Sequence, residues 1–328
     1  MPLGRRERVL TALQRQQPDR VPFLEVAIAR PLAEALAGKA DPAPHEVADA
    51  LGLDGLGTFI WAPDYAESAT NSEGRSFQGA GRIRSRADLA MIDLPDPDDE
   101  RLYAPLAGLV RRYRGEYALW VGGGIGWQPV LINLGLEGFC YALADDPGII
   151  HEILRPYTDW YRRVWTNAQE LGIDFLWLGD DIAYNQGPMF SPTVFRELFL
   201  PYGRRVAEVL HVPWAYHSDG NLLPILDDLL SLGMAALHPI QPGAMDIEEL
   251  KRQYGQRICL WGNIDLEYTL TRGSPEEVRQ LVRRRIDTVG RGGSYIIGSS
   301  NSIPSYCKPE NVLAMAAAVR EYGGYPTG

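Results

Sequence analysis

Eight short apolar runs, separated by longer segments that carry helix-start signals, constrain what this chain can fold into more than any other feature. The runs fall at residues 21–27, 57–61, 118–122, 174–178, 212–216, 235–240, 257–261 and 294–298. They are nearly continuous in apolar character rather than alternating, as strands covered on both faces must be, and such strands belong to parallel sheets. Between them, Asp146-Pro147, Ser191-Pro192, Asp246-Ile247-Glu248-Glu249 and Ser274-Pro275-Glu276-Glu277 each set a capping side chain ahead of a helix. A helix with the stripe Val9, Leu10, Leu13 precedes the first run, and another runs from Pro309 to about Tyr322. Eight strands alternating with helices predict an α/β fold, a single (β/α)₈ TIM barrel domain over 1–328. No Gly-x-Gly-x-x-Gly follows the first run to argue for a doubly wound sheet.

Residues 65–100 interrupt the alternation. They contain Asn71-Ser72-Glu73-Gly74-Arg75 and Pro95-Asp96-Pro97-Asp98-Asp99, too polar and broken for core. An elaborated loop after strand two, a hairpin and a lid on the functional face, is expected here.

Composition excludes some partners. The formal charge is −10 and basic residues are interspersed with acidic ones, so no phosphate-tracking surface and no nucleic acid are expected. No apolar run approaches the roughly 20 residues of a membrane helix, and the start lacks a signal-peptide core, so no membrane partner and a cytoplasmic location are expected. Cys140, Cys259 and Cys307 are odd in number and scattered, which predicts reduced thiols.

In a barrel the C-terminal strand ends converge on one mouth. Glu25, Gly122 to Gly124, Asp180-Asp181, His217 and Asp219, His238 and Gln241, Asn263 and Asp265, and Ser299-Ser300-Asn301 should gather there, with Arg30 a few residues past Glu25. His217 and Asp219, two apart on an extended strand, share a face, and Gly220 lets the chain turn after them. That pair suits a divalent cation or a donor–acceptor couple; the alternatives are an Asp that fixes a histidine tautomer or caps the helix near Leu222. Asp180 and Asp181 either accept backbone amides or handle substrate and water. His238, before Pro239, reads as a packed, hydrogen-bonded histidine. Glu25 in a nearly apolar strand must be paired, metal-bound or at the mouth.

Several stretches resemble the uroporphyrinogen decarboxylase family, which includes tetrapyrrole decarboxylases and corrinoid-linked methyltransferases. They are RRERVLTALQRQQPDRVP from Arg5, LGDDIAYNQGPMFSPTVFRELFLP from Leu178, HSDGNLLPILDDL from His217, LWGNID from Leu260 and GSSNSIPSYCKPENVLAM from Gly298. The resemblance implies a (β/α)₈ barrel. It disfavours tetrapyrrole decarboxylation, because the arginine-rich loop after strand one is replaced by Glu25-Val26-Ala27-Ile28-Ala29-Arg30. In the methyltransferase branch a His-x-Cys pair and a second Cys from the strand-eight loop bind zinc. Here those positions read His217-Ser218-Asp219 and Asn301 or its neighbourhood, while Cys307 reads as a buried free thiol or, alternatively, a ligand folded back.

A histidine with carboxylates is a harder ligand set than thiolates, better matched to an oxygen-bound substrate. The resemblance therefore implies a methyltransferase that demethylates a small methoxylated donor and passes the methyl to the corrinoid of a partner protein docked over the mouth. Zinc would be held by His217, Asp219 and Glu25 in one shared cavity. Asp180, Asp181 and Glu25 are the catalytic candidates, and Arg30, Trp61, Gln241, Asn263 and Asn301 the substrate contacts. The rival reading is a metal-independent decarboxylase or lyase of a small acid, with Asp180 or Asp181 as acid and Arg30 holding the anion.

Overall fold

The computed structural model describes residues 2–70 and 76–325. Seven parallel strands form one sheet in chain order: β1 (Gly55–Phe59), β2 (Ala118–Gly123), β3 (Phe175–Gly179), β4 (Trp214–His217), β5 (Ala236–His238), β6 (Cys259–Trp261) and β7 (Tyr295–Ile296). Helices link successive strands, the longest being Pro147–Glu170. The helix starts follow the sequence signals: Asp246 accepts from the amides of Glu248 and Glu249, and Ser274 and Glu277 form a reciprocal capping box. Asp146 differs; it makes no side-chain cap and pairs with Arg86 instead.

Period two assigns the faces. Ala118, Trp120, Phe175, Trp177, Ala215, Ala236, Cys259, Trp261 and Ile296 form one buried cluster with Leu24 and Val26 on the inner face of the curved sheet. Leu119, Val121, Leu176, Leu178, Tyr216, Leu237 and Leu260 face the helices. The N-terminal helix Arg5–Leu13 contributes Val9, Ala12 and Leu13 to the inner cluster and covers its lower end. Both faces are thus dry, which is why the strands read as unbroken apolar runs.

The run at 21–27 forms no ladder strand. Phe23 bridges Ile297, with Leu24 N–H donating to the Ile297 carbonyl (3.1 Å) and Ile297 N–H to Pro22 (2.9 Å), while on the other side Asp54 N–H donates to Phe23 (2.8 Å). The reason is local: Pro22 has no N–H to give, and the Phe23 N–H is taken by the Asp54 carboxylate at 2.8 Å. Asp54 also accepts from Arg8 Nη1 at 2.5 Å, and both side chains are buried. Asp54→Ala is expected to cost about 2–4 kcal/mol, since it leaves Arg8 Nη1 and the Phe23 N–H without their acceptor while Asp19 and the Leu3 carbonyl still hold the rest of the guanidinium; urea unfolding measures it.

After β1 the chain leaves the sheet as an antiparallel pair, Ala66–Thr70 with Ser76–Gly81, followed by a short 3₁₀ turn at Arg86–Met91. Asn71-Ser72-Glu73-Gly74-Arg75 lies outside the described residues. Gly81 seats this excursion against the helix after β2: a Cβ there would lie 2.3 Å from Gly135 N and 2.4 Å from Asn133 O.

Candidate active site

The inner-face parity carries one side chain per strand to the upper end of the sheet. His217 on β4 and His238 on β5 are register partners, and their Nδ1 atoms lie 2.7 Å apart. Trp177 Nε1, a donor only, approaches the same His238 Nδ1 at 3.4 Å. His238 Nδ1 is therefore the acceptor, and the shared proton sits on His217 Nδ1. Burial, with His217 adding to it, holds the His238 imidazole well below its ordinary value, so it is neutral. With that proton on Nδ1, the neutral His217 ring presents Nε2 as a lone pair.

That lone pair faces Asp181 Oδ1 at 3.6 Å. His217, Asp181 and Asp219 each offer a ligand atom within 4.8 Å of the others. Asn301 Nδ2 donates to Asp219 Oδ2 at 2.7 Å, while Asp219 Oδ1 is buried with no hydrogen-bond partner. Burial raises the Asp219 carboxyl, and the charge of Asp181 adds to the rise against His217 and Asn301. Three acceptors converge, two of them without a proton to share. An orphaned buried oxygen beside a bare imidazole nitrogen is the arrangement that a divalent cation satisfies, and one nitrogen with two carboxylates balances its charge while leaving positions open.

Asp180, the neighbour of Asp181, has the opposite parity and a different task. Its carboxylate accepts from the amides of Ile125 (2.5 Å), Trp127 (3.0 Å) and Gln128 (2.7 Å), tying the loop after β2 to the start of the helix Gln128–Asp145. Burial pushes it up to about 7, with the three N–H groups pulling the other way. The expected choice between backbone anchoring and substrate handling is thus divided: Asp180 anchors, and Asp181 faces the cavity.

Glu25 does not join His217 and Asp219. Leu24 and Val26 point inward with the inner cluster, so Glu25, between them, has the outward parity of Phe23. Ser299 N–H donates to its Oε1 at 2.9 Å, and the Ser299 hydroxyl meets its Oε2 at 2.5 Å. The same hydroxyl contacts the Asn301 carbonyl. One hydroxyl proton cannot serve two acceptors, so a protonated Glu25 supplies the second, in line with burial pushing this carboxyl up to about 8. The unfolded chain ionises from about 4.5 upward while the fold holds the proton to about 8, so this group's contribution is complete at low pH and is lost as pH rises through that window. Glu25→Gln is expected to flatten the decline in stability between pH 5 and 8, measured by urea unfolding across that range.

The remaining candidates separate in the same way. Asn301 stands at Asp219, and Trp61, 47% exposed, sits at the rim of the cavity. Gln241 is spent on tethering, its Oε1 taking the Gly220 N–H at 2.7 Å and its Nε2 reaching Asn185. Asn263 donates to the Ile240 carbonyl and accepts from Arg285, toward the helix layer. Arg30 is exposed and paired with Glu34 and Asp41. Cys307 is buried, free and raised by burial to about 11, outside the His217 group.

The cavity beside His217 and Asp181 has a volume of about 340 Å³. Its walls include residues with no signal in the sequence pattern: Trp177, Tyr161, Gln128 and Asp64. Trp61 and Trp177 meet at 89° with ring centroids 6.1 Å apart. Among the described residues, no arginine or lysine lines it.

The sequence profile of the family described as uroporphyrinogen decarboxylase (URO-D) matches residues 79–322. The chain belongs to the uroporphyrinogen decarboxylase family. Among its relatives, the uroporphyrinogen decarboxylase of Methylococcus capsulatus is 27% identical over 267 residues, covering 76% of this chain and 73% of that one. That of Alkalilimnicola ehrlichii is 28% identical over 254 residues, covering 73% and 67%. Among solved structures, a methyltransferase from Methanosarcina mazei superposes with a TM-score of 0.75 at 18% identity, covering 98% of this chain and 99% of that one. At that identity the likeness shows the fold, so this URO-D family member shares its architecture with a methyltransferase as well as with decarboxylases. No helix among its described residues is long and apolar enough to cross a membrane.

Proposed function

We propose that this URO-D family member is a metal-assisted methyltransferase that takes a methyl group from a small methoxylated donor and passes it to the corrinoid of a partner protein. The observation that carries the reading is the convergence of His217 Nε2, Asp181 and the unpartnered Asp219 Oδ1, three acceptors with a place for a cation among them. When bound there, a divalent ion such as zinc would supply positive charge to the oxygen that keeps the electron pair of the broken C–O bond.

The chain's own residues prepare that site. His238 holds the proton of His217 on Nδ1, and Asn301 occupies Asp219 Oδ2, so His217 Nε2 and Asp219 Oδ1 are presented together. Trp61 and Trp177 offer apolar walls for the body of the donor. The lack of a basic residue among the described lining disfavours a carboxylate substrate and with it the lyase reading, since Arg30 belongs to another cavity and is already paired. We take the run at 21–27, which contacts both β7 and the start of β1, as the segment that closes the sheet into a (β/α)₈ barrel. The excursion at 65–100 then serves as part of the surface over which the corrinoid protein docks.

Metal analysis tests the reading. The purified chain is expected to hold one zinc after dialysis against it, and His217→Ala to hold none while keeping the native circular dichroism. A chain that is active without metal would favour the lyase.

A further inference from the structure

Tyr161 brings to the cavity at His217 a hydroxyl that the metal cluster does not use. Its ring is held in the core, stacked on Trp165 at 15° with centroids 5.5 Å apart and set edge-on to Trp160 at 4.9 Å. Those two tryptophans stand behind it, outside the cavity wall, whereas Ala62 and Gly124, the residues against its hydroxyl, are both in that wall. The Ala62 N–H donates to the hydroxyl oxygen at 3.1 Å, and a Cβ at Gly124 would fall 2.9 Å from the same oxygen. The 2% of Tyr161 that stays accessible is therefore its hydroxyl end, not the covered ring. Trp165 Nε1 donates to the Gly124 carbonyl at 3.1 Å, which fixes that glycine beside the phenol.

With the Ala62 N–H on one side of the oxygen, the hydroxyl proton turns to the other, and no acceptor among the described residues receives it. Burial, with the charge of Asp180 adding to it against the pull of the Ala62 N–H, holds the phenol above its ordinary value, so the proton stays. A confined donor without a protein acceptor is relieved by an acceptor on the ligand. We propose that Tyr161 selects the methyl donor by donating to a second oxygen on it, and that the donor class is an aromatic methyl ether with another, uncharged oxygen substituent. This rests on the reading of the cavity as the donor's site. An aromatic body fits the corner that Trp61 and Trp177 make at 89°, where a flat ring lies on one indole and meets the other edge-on. Charge of either sign is disfavoured at the second substituent. A carboxylate would meet Asp180 and Asp181 in a wall whose described residues include no base, and an ammonium has no lone pair to offer the hydroxyl.

The test is calorimetric titration of the chain without a corrinoid acceptor, so that no methyl leaves. Each isomer of dimethoxybenzene is compared with the ethylanisole of the same substitution, in which a CH₂ replaces the second oxygen. At least one dimethoxybenzene is expected to bind about tenfold more tightly than its ethylanisole, and 4-methoxybenzoate more weakly than either. Tyr161→Phe keeps the ring and removes the proton; it should erase the preference and leave ethylanisole binding unchanged. Gly124→Ala, whose Cβ crowds the hydroxyl, should erase the preference too. No preference in the native chain, a preference that survives either variant, tightest binding by the acid, or loss of ethylanisole binding in Tyr161→Phe would each overturn the assignment. Methyl transfer to free cob(I)alamin, read separately, distinguishes the two readings: transfer without the preference removes the role of Tyr161 alone, and the preference without transfer removes the methyltransferase reading alone.

Discussion

Adding zinc to the metal-free chain is expected to raise its thermal midpoint, and the rise is expected to vanish in both His217→Ala and Asp219→Ala. Binding to the folded state alone adds RT ln(1 + [L]/Kd), about 2.7 kcal/mol at a free-zinc concentration about 100 times Kd. Each substitution removes one of three ligands from a cluster whose atoms lie within 4.8 Å of one another. The shift should also shrink as pH falls. Burial and the charge of Asp181 raise the Asp219 carboxyl, so without metal it takes up a proton at a higher pH than an ordinary aspartate, and that proton must leave before the oxygen can bind. Scanning calorimetry with and without zinc at several pH values reads both effects. Asn301→Ala, which removes only the hydrogen bond to Asp219 Oδ2, is expected to weaken the shift without abolishing it.

Asp180→Ala is expected to be the most destabilising single change near the site, by about 3–5 kcal/mol. It would strand three backbone N–H groups that converge on one buried carboxylate, at about 1–3 kcal/mol for each donor that finds no water. Asp180→Asn should recover only part of that, because its amide N–H₂ cannot accept. The same anchor holds the loop carrying Gly124 and Gln128, both in the cavity wall, so donor binding should weaken even where the variant folds. Asp181→Asn is expected to leave stability nearly unchanged and to affect metal binding instead. Urea unfolding of the two variants side by side separates the anchor from the ligand.

The strand pattern is legible in the amino-acid sequence. Seven of the eight apolar runs overlap a strand of the sheet, because a strand covered on both faces has to be apolar at every position. The strand edges are less legible: β4 begins at Trp214, not 212, and β1 at Gly55, not 57. Gly55, outside the apolar run, pairs with Ala118, and Gly57, at the start of it, with Trp120. The run at 21–27 carries the right composition, but Pro22 and the side chain of Asp54 take it out of the ladder.

For the site, His217 and Asp219 are readable from their spacing. The division between Asp180 and Asp181 is encoded in the same period of two: Asp181 shares the parity of Trp177 and Gly179, and Asp180 that of Leu176 and Leu178. Parity also sets Glu25 with Phe23 rather than with inward Leu24 and Val26. Asn263 is different, because beyond Trp261 the chain leaves extended geometry and parity no longer predicts direction. Tyr161 has no sequence signal; it reaches the cavity from the helix Pro147–Glu170, where Gly124 lets its hydroxyl approach.

The measurement that tests the central claim most directly is methyl transfer to free cob(I)alamin from a panel of small methoxylated donors, followed by absorbance with product analysis. Loss of the cobalt(I) spectrum and gain of methylcobalamin, in step with an equal amount of demethylated product, is the predicted result. It should stop on chelation, return with zinc, and fail in Asp219→Ala. Turnover of a small acid with release of carbon dioxide, or methyl transfer that proceeds unchanged after chelation, would contradict the account.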